Sequence, residues 1–323
     1  MAKIIVTGGA GYVGSHAVKR LAHDGHEILV IDNLVHGHAE AVKWGDLEKI
    51  DLLNLEALTD ALNQFEPESV LHFAAYAYVG ESVREPVKYY ENNVLGTLNL
   101  LKAMKSAKCS KLVFSSTCAT YGEPKIIPIT ESTPQHPINP YGQTKLMVEQ
   151  ILRDAHTAYG LESVSLRYFN AAGADPEGEI GENHHPETHL IPLTLQTALG
   201  KRAEIEVLGT DYPTADGSCI RDYIHVMDLA EAHVLALKYL EKKPGVHAFN
   251  LGTETGTSVL EIIKAAEKVS GKKLKVKHSP RRAGDPPVLV ADASLAKREL
   301  GWKLQHSSID HIIRDAWKWI QKL

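Results

Sequence analysis

The chain has 323 residues, 44% of them hydrophobic and 23% charged, with a net charge of −5. This is the make-up of an ordinary soluble globular protein long enough for one large domain or two smaller ones. No basic block is present, which argues against nucleic acid as a partner, and no run of about 18 apolar residues is available to span a membrane. The three cysteines, Cys109, Cys118 and Cys219, are too few and too scattered for a disulfide framework or a zinc site, so a reducing, cytoplasmic compartment is expected.

The first segment, KIIVT at 3–7, meets glycines at once and reads as a buried strand rather than a signal peptide. GYVGSHAVKRLAHDG follows as a helix ended by Gly25, and EILVID at 27–32 as a second strand. LEALTDALNQF predicts a helix, SVLHFAA a strand, and residues 83–107 a long helix with a late start at Pro86. KLVFSS at 111–116 is a strand, 141–159 a helix, and ESVSLRYFN another strand. This βαβα order implies a Rossmann-type, doubly wound parallel sheet covered on both faces over residues 1–170. From 171 to 323 the pattern loosens into a smaller, mixed α/β substrate lobe, from which the chain can cross back to the first domain. Helices are expected near 191–200, 227–241, 258–270 and 307–321, with Ser258 and Glu261 forming a capping box.

Two stretches carry chemistry. TGGAGYVG has the spacing Gly8-x-x-Gly11-x-x-Gly14 and joins the first strand to the first helix. A loop without side chains lets backbone approach a pyrophosphate, and the helix N-terminus, through Tyr12 and Val13, points N–H groups at the anion. The second strand ends in Asp32, whose carboxylate accepts from a ribose 2′-hydroxyl and repels a 2′-phosphate, favouring NAD over NADP. Asp51, before Leu52, is placed to reach the adenine amino group. NPYGQTK, at 139–145, sets Tyr141 and Lys145 one turn apart on one helix face, behind an Asn139 cap and Pro140 at the first helical position. A neighbouring cation favours a phenolate, so this spacing predicts a tyrosine with a lowered pKa, tuned as an acid/base.

With the glycine loop, SSTCATYG and NPYGQTK in one chain, the sequence resembles the extended short-chain dehydrogenase/reductase family over nearly its whole length, and within it the sugar-nucleotide 4-epimerases. RYFNAAGA, GTDYPTADGSCIRDYIHVMDLA, FNLGT and RRAGDPP extend the likeness through the second half. The resemblance implies Tyr141 as catalytic base, Lys145 as its partner and a ligand of the nicotinamide ribose, and Thr117 as the hydroxyl beside the sugar. It implies further NAD contacts from Asn33, Phe73, Ala74, Ala75, Asn92 and Tyr168. For a UDP-sugar substrate it implies Asn170 and Leu190 in the cleft, Arg221 and Arg282 on the diphosphate, and Asp285 on the uridine ribose. It also implies a homodimer through the 83–107 and 141–159 helices. Where family members often carry a lysine near the pyrophosphate, this chain has Ala77.

The expected reaction is NAD-dependent 4-epimerisation through a transient 4-keto sugar, interconverting UDP-glucose and UDP-galactose. Relatives that dehydrate carry Asp-Glu after the Ser/Thr position, whereas Cys118, Ala119 and Thr120 follow Thr117 here, so elimination lacks its acid and base. Leu289 aligns with the residue that limits the C2 substituent; a leucine leaves room for N-acetyl groups, and UDP-N-acetylglucosamine is an expected second substrate. TYGEPKIIPITESTPQHPINPYG also resembles UDP-xylose/UDP-arabinose 4-epimerases, making a pentose the alternative within the class. The alternative outside it is a non-catalytic NAD-binding sensor, against which the presence of both Tyr141 and Lys145 speaks. The seventeen histidines, ENHHPETH above all, are read as loop and cleft residues without a metal. The adjacent His184 and His185 point apart on most backbones, and no HExxH or His-carboxylate facial motif is present. Cys118 has no base partner and is read as a small filler.

Overall fold

Ile4, Ile5 and Val6 are all buried, so the strand they form must have both faces covered. In the computed structural model, which describes residues 1–282 and 286–323, this strand is β1 (Lys3–Thr7). The chain continues through α1 (Tyr12–His23), β2 (Glu27–Asp32), β3 (Asp46–Lys49), α2 (Leu55–Phe65), β4 (Ser69–His72), α3 (Val79–Arg84), α4 (Pro86–Tyr89), α5 (Gly96–Ser106), β5 (Lys111–Thr117), α6 (Pro140–Tyr159) and β6 (Glu162–Tyr168). Then follow β7 (Asn170–Ala172), α7 (Leu190–Ala198), β8 (Ile205–Leu208), β9 (Ile220–Arg221), β10 (Tyr223–His225), α8 (Val226–Lys242), β11 (Val246–Leu251), β12 (Thr257–Ser258), α9 (Val259–Ser270), β13 (Val276–Ser279), β14 (Val288–Leu289), α10 (Ser294–Leu300) and α11 (Ile309–Ile320).

The main sheet has seven parallel strands in the order β11-β6-β5-β4-β1-β2-β3. From β1 the chain winds one way to β2 and β3, then returns to β4 and winds the other way. The crevice where the winding reverses, at the carboxyl ends of β1 and β4, is where open α/β sheets bind ligands. On one face, Ala17, Val18 and Leu21 of α1 pack with Leu229, Val234 and Leu237 of α8 and with Leu300 of α10. On the other, Leu58 and Leu62 of α2 meet Leu100 and Met104 of α5 and Val148 and Leu152 of α6.

α8 and β11 come from the second half of the sequence, β11 in the main sheet and α8 packed on it. What remains of that half is built on a separate apolar cluster, where Leu195 of α7, Ile262 of α9 and Ile312 and Ile313 of α11 meet. Short sheets, β7 with β10, β12-β9-β14, and β8 with β13, complete it.

The strands β7 to β14 and the helix α3 are absent from the sequence reading, and three further elements differ from it. β3, DLEK, has no apolar run because it is an edge strand with an exposed start and end. α10 is one short helix that shows too few turns for its periodicity to register. The long 83–107 helix is broken at Glu85, and a π-helical segment, Tyr90–Leu95, joins α4 to α5. That segment turns Asn93 inward, where it accepts from the Tyr76 backbone N–H at 2.8 Å and donates to Thr144 Oγ1 at 3.1 Å. It thereby ties the helix to the Tyr76 loop and to α6.

Candidate active site

β5 and β6 pair in parallel with Thr117 opposite Tyr168, so their carboxyl ends present two hydroxyls side by side. Ser115 Oγ and the Tyr168 hydroxyl are hydrogen-bonded at 2.6 Å. α6 starts directly above. Asn139 has an extended backbone, and its side chain accepts from Gly142 N at 2.9 Å, the cap expected from the sequence. A Cβ at Gly142 would lie 2.5 Å from the Ala119 carbonyl oxygen, so only glycine lets the first turn of α6 approach the end of β5 this closely. The result is that Tyr141 and Thr117 border the same cavity, with Thr117 near enough to favour the ionised phenol. Beneath them, Glu149 of α6 accepts from Arg167 Nε at 2.9 Å and Ser116 Oγ at 2.6 Å, a buried pair that fixes α6 on the sheet.

Lys145 is buried, 3% exposed; it donates to Ser115 O at 2.8 Å and lies 6.0 Å from the Tyr141 ring centroid. Desolvation draws its pKa down to about 7. Tyr141 moves the opposite way from the expectation. Burial pushes its phenol up, with Tyr168 adding to the rise, and Thr117 only partly offsets this. The helix spacing correctly places ammonium and phenol together, but it carries no information about desolvation. Desolvation is the largest cause of the rise.

Tyr141 borders a cavity of about 700 Å³ at the sheet's carboxyl edge. Tyr141, Thr117, Tyr168, Asn170, Leu190, Arg221, Arg282 and Leu289 line it, together with Gly8, Tyr12, Val13, Gly14 and Phe73 from the glycine loop and β4. A second, smaller pocket across Gly8 and Phe73 is lined by Asp32, Asn33, Leu52, Ala74, Ala75 and Asn92. Of the residues singled out in the sequence, Gly11 caps α1, Lys145 lies under the cavity floor, and Asp51 stands behind Asn33, whose side chain donates to it at 3.0 Å. Asp285 falls outside the described residues. Arg221 and Leu289 are register partners in β9 and β14, so they reach the cavity from one small sheet.

The two pockets fit a dinucleotide. Gly8 has φ +73°, and a Cβ there would stand 2.5 Å from Ala74 N, so β1 and β4 close over bare backbone. No side chain caps the N-terminus of α1, which leaves that end to an anion. Asp32 is held by the N–H groups of Ala10 (3.1 Å) and Leu34 (2.8 Å). Burial raises its pKa and the backbone bonds counter this in part. His36 and Gly37 also border the second pocket; they are missed by motif reading, although they follow Asp32 within one loop.

Glu182, His184 and His189, from the stretch read in the sequence as loop and cleft residues, form one wall of the cavity. His189 Nδ1 lies 2.6 Å from Glu182 Oε1 and 3.4 Å from Glu187 Oε1, and His184 Nδ1 lies 3.1 Å from Glu182 Oε1. Burial works to lower the pKa of His189, but the Glu182 charge and the carboxylate hydrogen bonds prevail and hold it at about 10. Burial likewise opposes ionisation of Glu182, and the facing histidines reverse that to give a lowered pKa. It is His189, and not His185, that meets His184; the loop and not the sequence spacing brings them together. Cys118 also lines the cavity, and burial pushes its thiol up to about 12, so it is no thiolate nucleophile.

Residues 4–252 match the NAD dependent epimerase/dehydratase family. A UDP-glucose 4-epimerase of Rhizobium meliloti is 52% identical over 316 residues, covering 98% of this chain and 96% of the relative. The structure of a UDP-glucose 4-epimerase from Brucella ovis in complex with NAD superposes with a TM-score of 0.96 at 51% identity, covering 98% of each chain. One from Bifidobacterium longum, solved with NAD⁺ and UDP, gives a TM-score of 0.94 at 40% identity over 99% of this chain and 98% of that one. With its glycine loop, its Asp32 and its Thr117–Tyr141–Lys145 set in one crevice, and with these relatives over its full length, the chain belongs to the NAD dependent epimerase/dehydratase family.

Proposed function

We propose that the protein is an NAD-dependent 4-epimerase of UDP-sugars that interconverts UDP-galactose and UDP-glucose. The observation that carries this reading is that Tyr141 and Thr117 stand together on the wall of the cavity that the glycine loop, Arg221 and Arg282 also line. Gly8, Tyr12, Val13, Gly14, Asp32, Asn33 and Asn92 would hold the dinucleotide, with Ala77 standing where no lysine can reach the pyrophosphate. Bound NAD⁺ supplies a hydride acceptor for the carbinol carbon and a positive charge beside the phenol.

With NAD⁺ bound, Tyr141 in its phenolate form, its own proton already lost to solvent, would take the proton from the sugar 4-hydroxyl and later give it back. Thr117 passes a hydrogen bond between the phenol and the sugar oxygen, since a hydroxyl donates and accepts at once. Lys145, fixed by Ser115 O, sits where it orients the ribose hydroxyls next to Tyr141. Arg221 and Arg282 hold the diphosphate by charge-assisted bonds, while the sugar is gripped loosely enough to turn its other face. No carboxylate follows Thr117, so the 4-keto sugar has no group placed to eliminate water. Purified protein mixed with UDP-galactose should form UDP-glucose; no conversion with cofactor present ends the reading.

Leu289 on the cavity wall favours acceptance of N-acetylated sugars as well, because an aliphatic side chain leaves space that a tyrosine ring would fill. Turnover of UDP-N-acetylglucosamine and UDP-xylose relative to UDP-galactose ranks the three substrate classes. A homodimer is supported by an apolar face on the segment from α3 to α5: Val83 and Val87 are 62% and 66% exposed, and Leu95 and Leu98 continue the stripe. Sedimentation at two concentrations tests it. Among the described residues no helix is long and apolar enough to cross a membrane, and all three cysteines are free, which supports a reducing, cytoplasmic setting.

A further inference from the structure

Four donor side chains converge on one wall of the cavity: Glu182, His184, Glu187 and His189, whose ligating atoms all lie within 4.8 Å of one another. Both imidazoles turn the same atom, Nδ1, to the same point, and Glu182 Oε1 stands between them at 2.6 Å and 3.1 Å. Glu187 closes the set, at 3.4 Å from His189 Nδ1 and 4.0 Å from His184 Nδ1. A tetrahedral ion bound at about 2.0–2.2 Å requires donor–donor edges of about 3.3–3.6 Å. The observed edges bracket that range, so a shift of a few tenths of an ångström per donor encloses an ion. Two imidazoles and two carboxylates are the donor types that zinc and its neighbours take.

The set is also braced from behind. Glu187 Oε1 accepts from the backbone N–H groups of Thr188 (2.7 Å) and His189 (2.8 Å). The Glu182 carbonyl accepts from Trp319 Nε1 at 2.9 Å, and the Asn183 carbonyl is 2.8 Å from His38 Nε2. Such outer bonds orient metal ligands before the ion arrives. The carboxylates of Glu182 and Glu187 are 6% and 7% exposed and the His184 ring 18%, whereas the His189 ring is 51% exposed and opens the way in.

We infer that Glu182, His184, Glu187 and His189 form a tetrahedral binding site for a divalent zinc-like ion, which displaces to solvent the proton that His189 Nδ1 shares with Glu182. Four protein donors leave no position for a reactant, so the ion is structural. It ties the 182–189 loop into one piece against Tyr12 and Tyr78, whose rings meet His184 edge-on at 6.2 Å and 6.0 Å. Tyr12 opens the helix after the glycine loop, so the ion stiffens the wall that faces the cofactor cleft. The inference stands on these donors alone and is independent of the reaction assigned above.

The test uses tag-free, NAD-containing protein dialysed against EDTA and titrated with cobalt(II) chloride. The expected result is one ion per chain with the intense visible band of tetrahedral cobalt, displaced by zinc, and a higher melting temperature on zinc addition. Glu187→Gln, which lies off the cavity wall, and His184→Ala should each remove the band and weaken binding about tenfold or more, and Glu187→Gln should leave the NAD content unchanged. If His184→Ala does not fold, Glu187→Gln alone decides. A wild-type titration without the tetrahedral band, or a band that persists in Glu187→Gln, would mean that these groups form only a hydrogen-bonded latch and would overturn the site.

Discussion

Two walls of one cavity treat a basic side chain in opposite ways. On the sheet side, Lys145 faces a carbonyl, a phenol and the Phe114 ring but no carboxylate, and desolvation drives it toward neutrality, to about 7. On the loop side, the half-exposed His189 faces Glu182 and Glu187, and their charge holds its pKa at about 10 against the desolvation it does suffer. Burial alone therefore does not set the charge of a site; the presence of a counter-charge does. The sheet wall is left short of compensating charge, which is what an acid/base that must change state requires. The loop wall is internally compensated, which suits a fixed structure.

The largest effect expected from breaking the sheet wall is Tyr141→Phe. It should lower kcat by about 10²–10⁴-fold, as loss of a general base does, with NAD still bound; a steady-state assay retaining more than a tenth of wild-type kcat would remove Tyr141 from its role. Lys145→Met comes next and separates stability from activity. Between pH 7 and 10.5 the unfolded chain holds a proton on this lysine that the folded chain does not, so wild-type stability rises with pH across that window. The variant, which has no such penalty, should gain melting temperature relative to wild type most below pH 7, and the gain should vanish near pH 10.5, while turnover falls throughout. A gain independent of pH would mean that Lys145 is not desolvated.

Leu289→Tyr sharpens the contrast on the substrate side. It should cut kcat/KM for UDP-N-acetylglucosamine by about tenfold or more relative to UDP-galactose, the scale on which a filled pocket discriminates. Equal loss for both sugars would place Leu289 away from the C2 substituent. Asn139→Ala gives the smallest change. It removes the cap that presents Tyr141 and should cost about 1 kcal/mol in denaturant unfolding, with little effect on the assay.

The same contrast explains what could be read from the sequence. The sheet wall is made by local rules: Gly8-x-x-Gly11-x-x-Gly14 between a strand and a helix, Asp32 at a strand end, and Asn139-Pro140 opening a helix. Each of these lies within one turn or loop, and each stands where the spacing predicts. The loop wall is tertiary. His184 and His189 meet because Trp319 and His38 hold the loop from distant parts of the chain. No periodicity records that, which is why the His-rich stretch reads as plain cleft residues. β11 joins the main sheet from the far end of the sequence for the same reason, since pairing between distant strands leaves no mark in a local window. The phenol's upward shift was also illegible, because i to i+4 spacing gives proximity and not dielectric.

The central claim is that Tyr141 moves only a proton while the hydrogen on C4 never leaves the protein-bound pair of sugar and cofactor. The most direct test is to let the purified protein act on UDP-galactose in D₂O and to examine the UDP-glucose by NMR. The account predicts product whose C4 carries the substrate's own hydrogen, with no deuterium at C4, C5 or C6. Deuterium at C4 would show exchange with solvent at the reacting carbon and would contradict it.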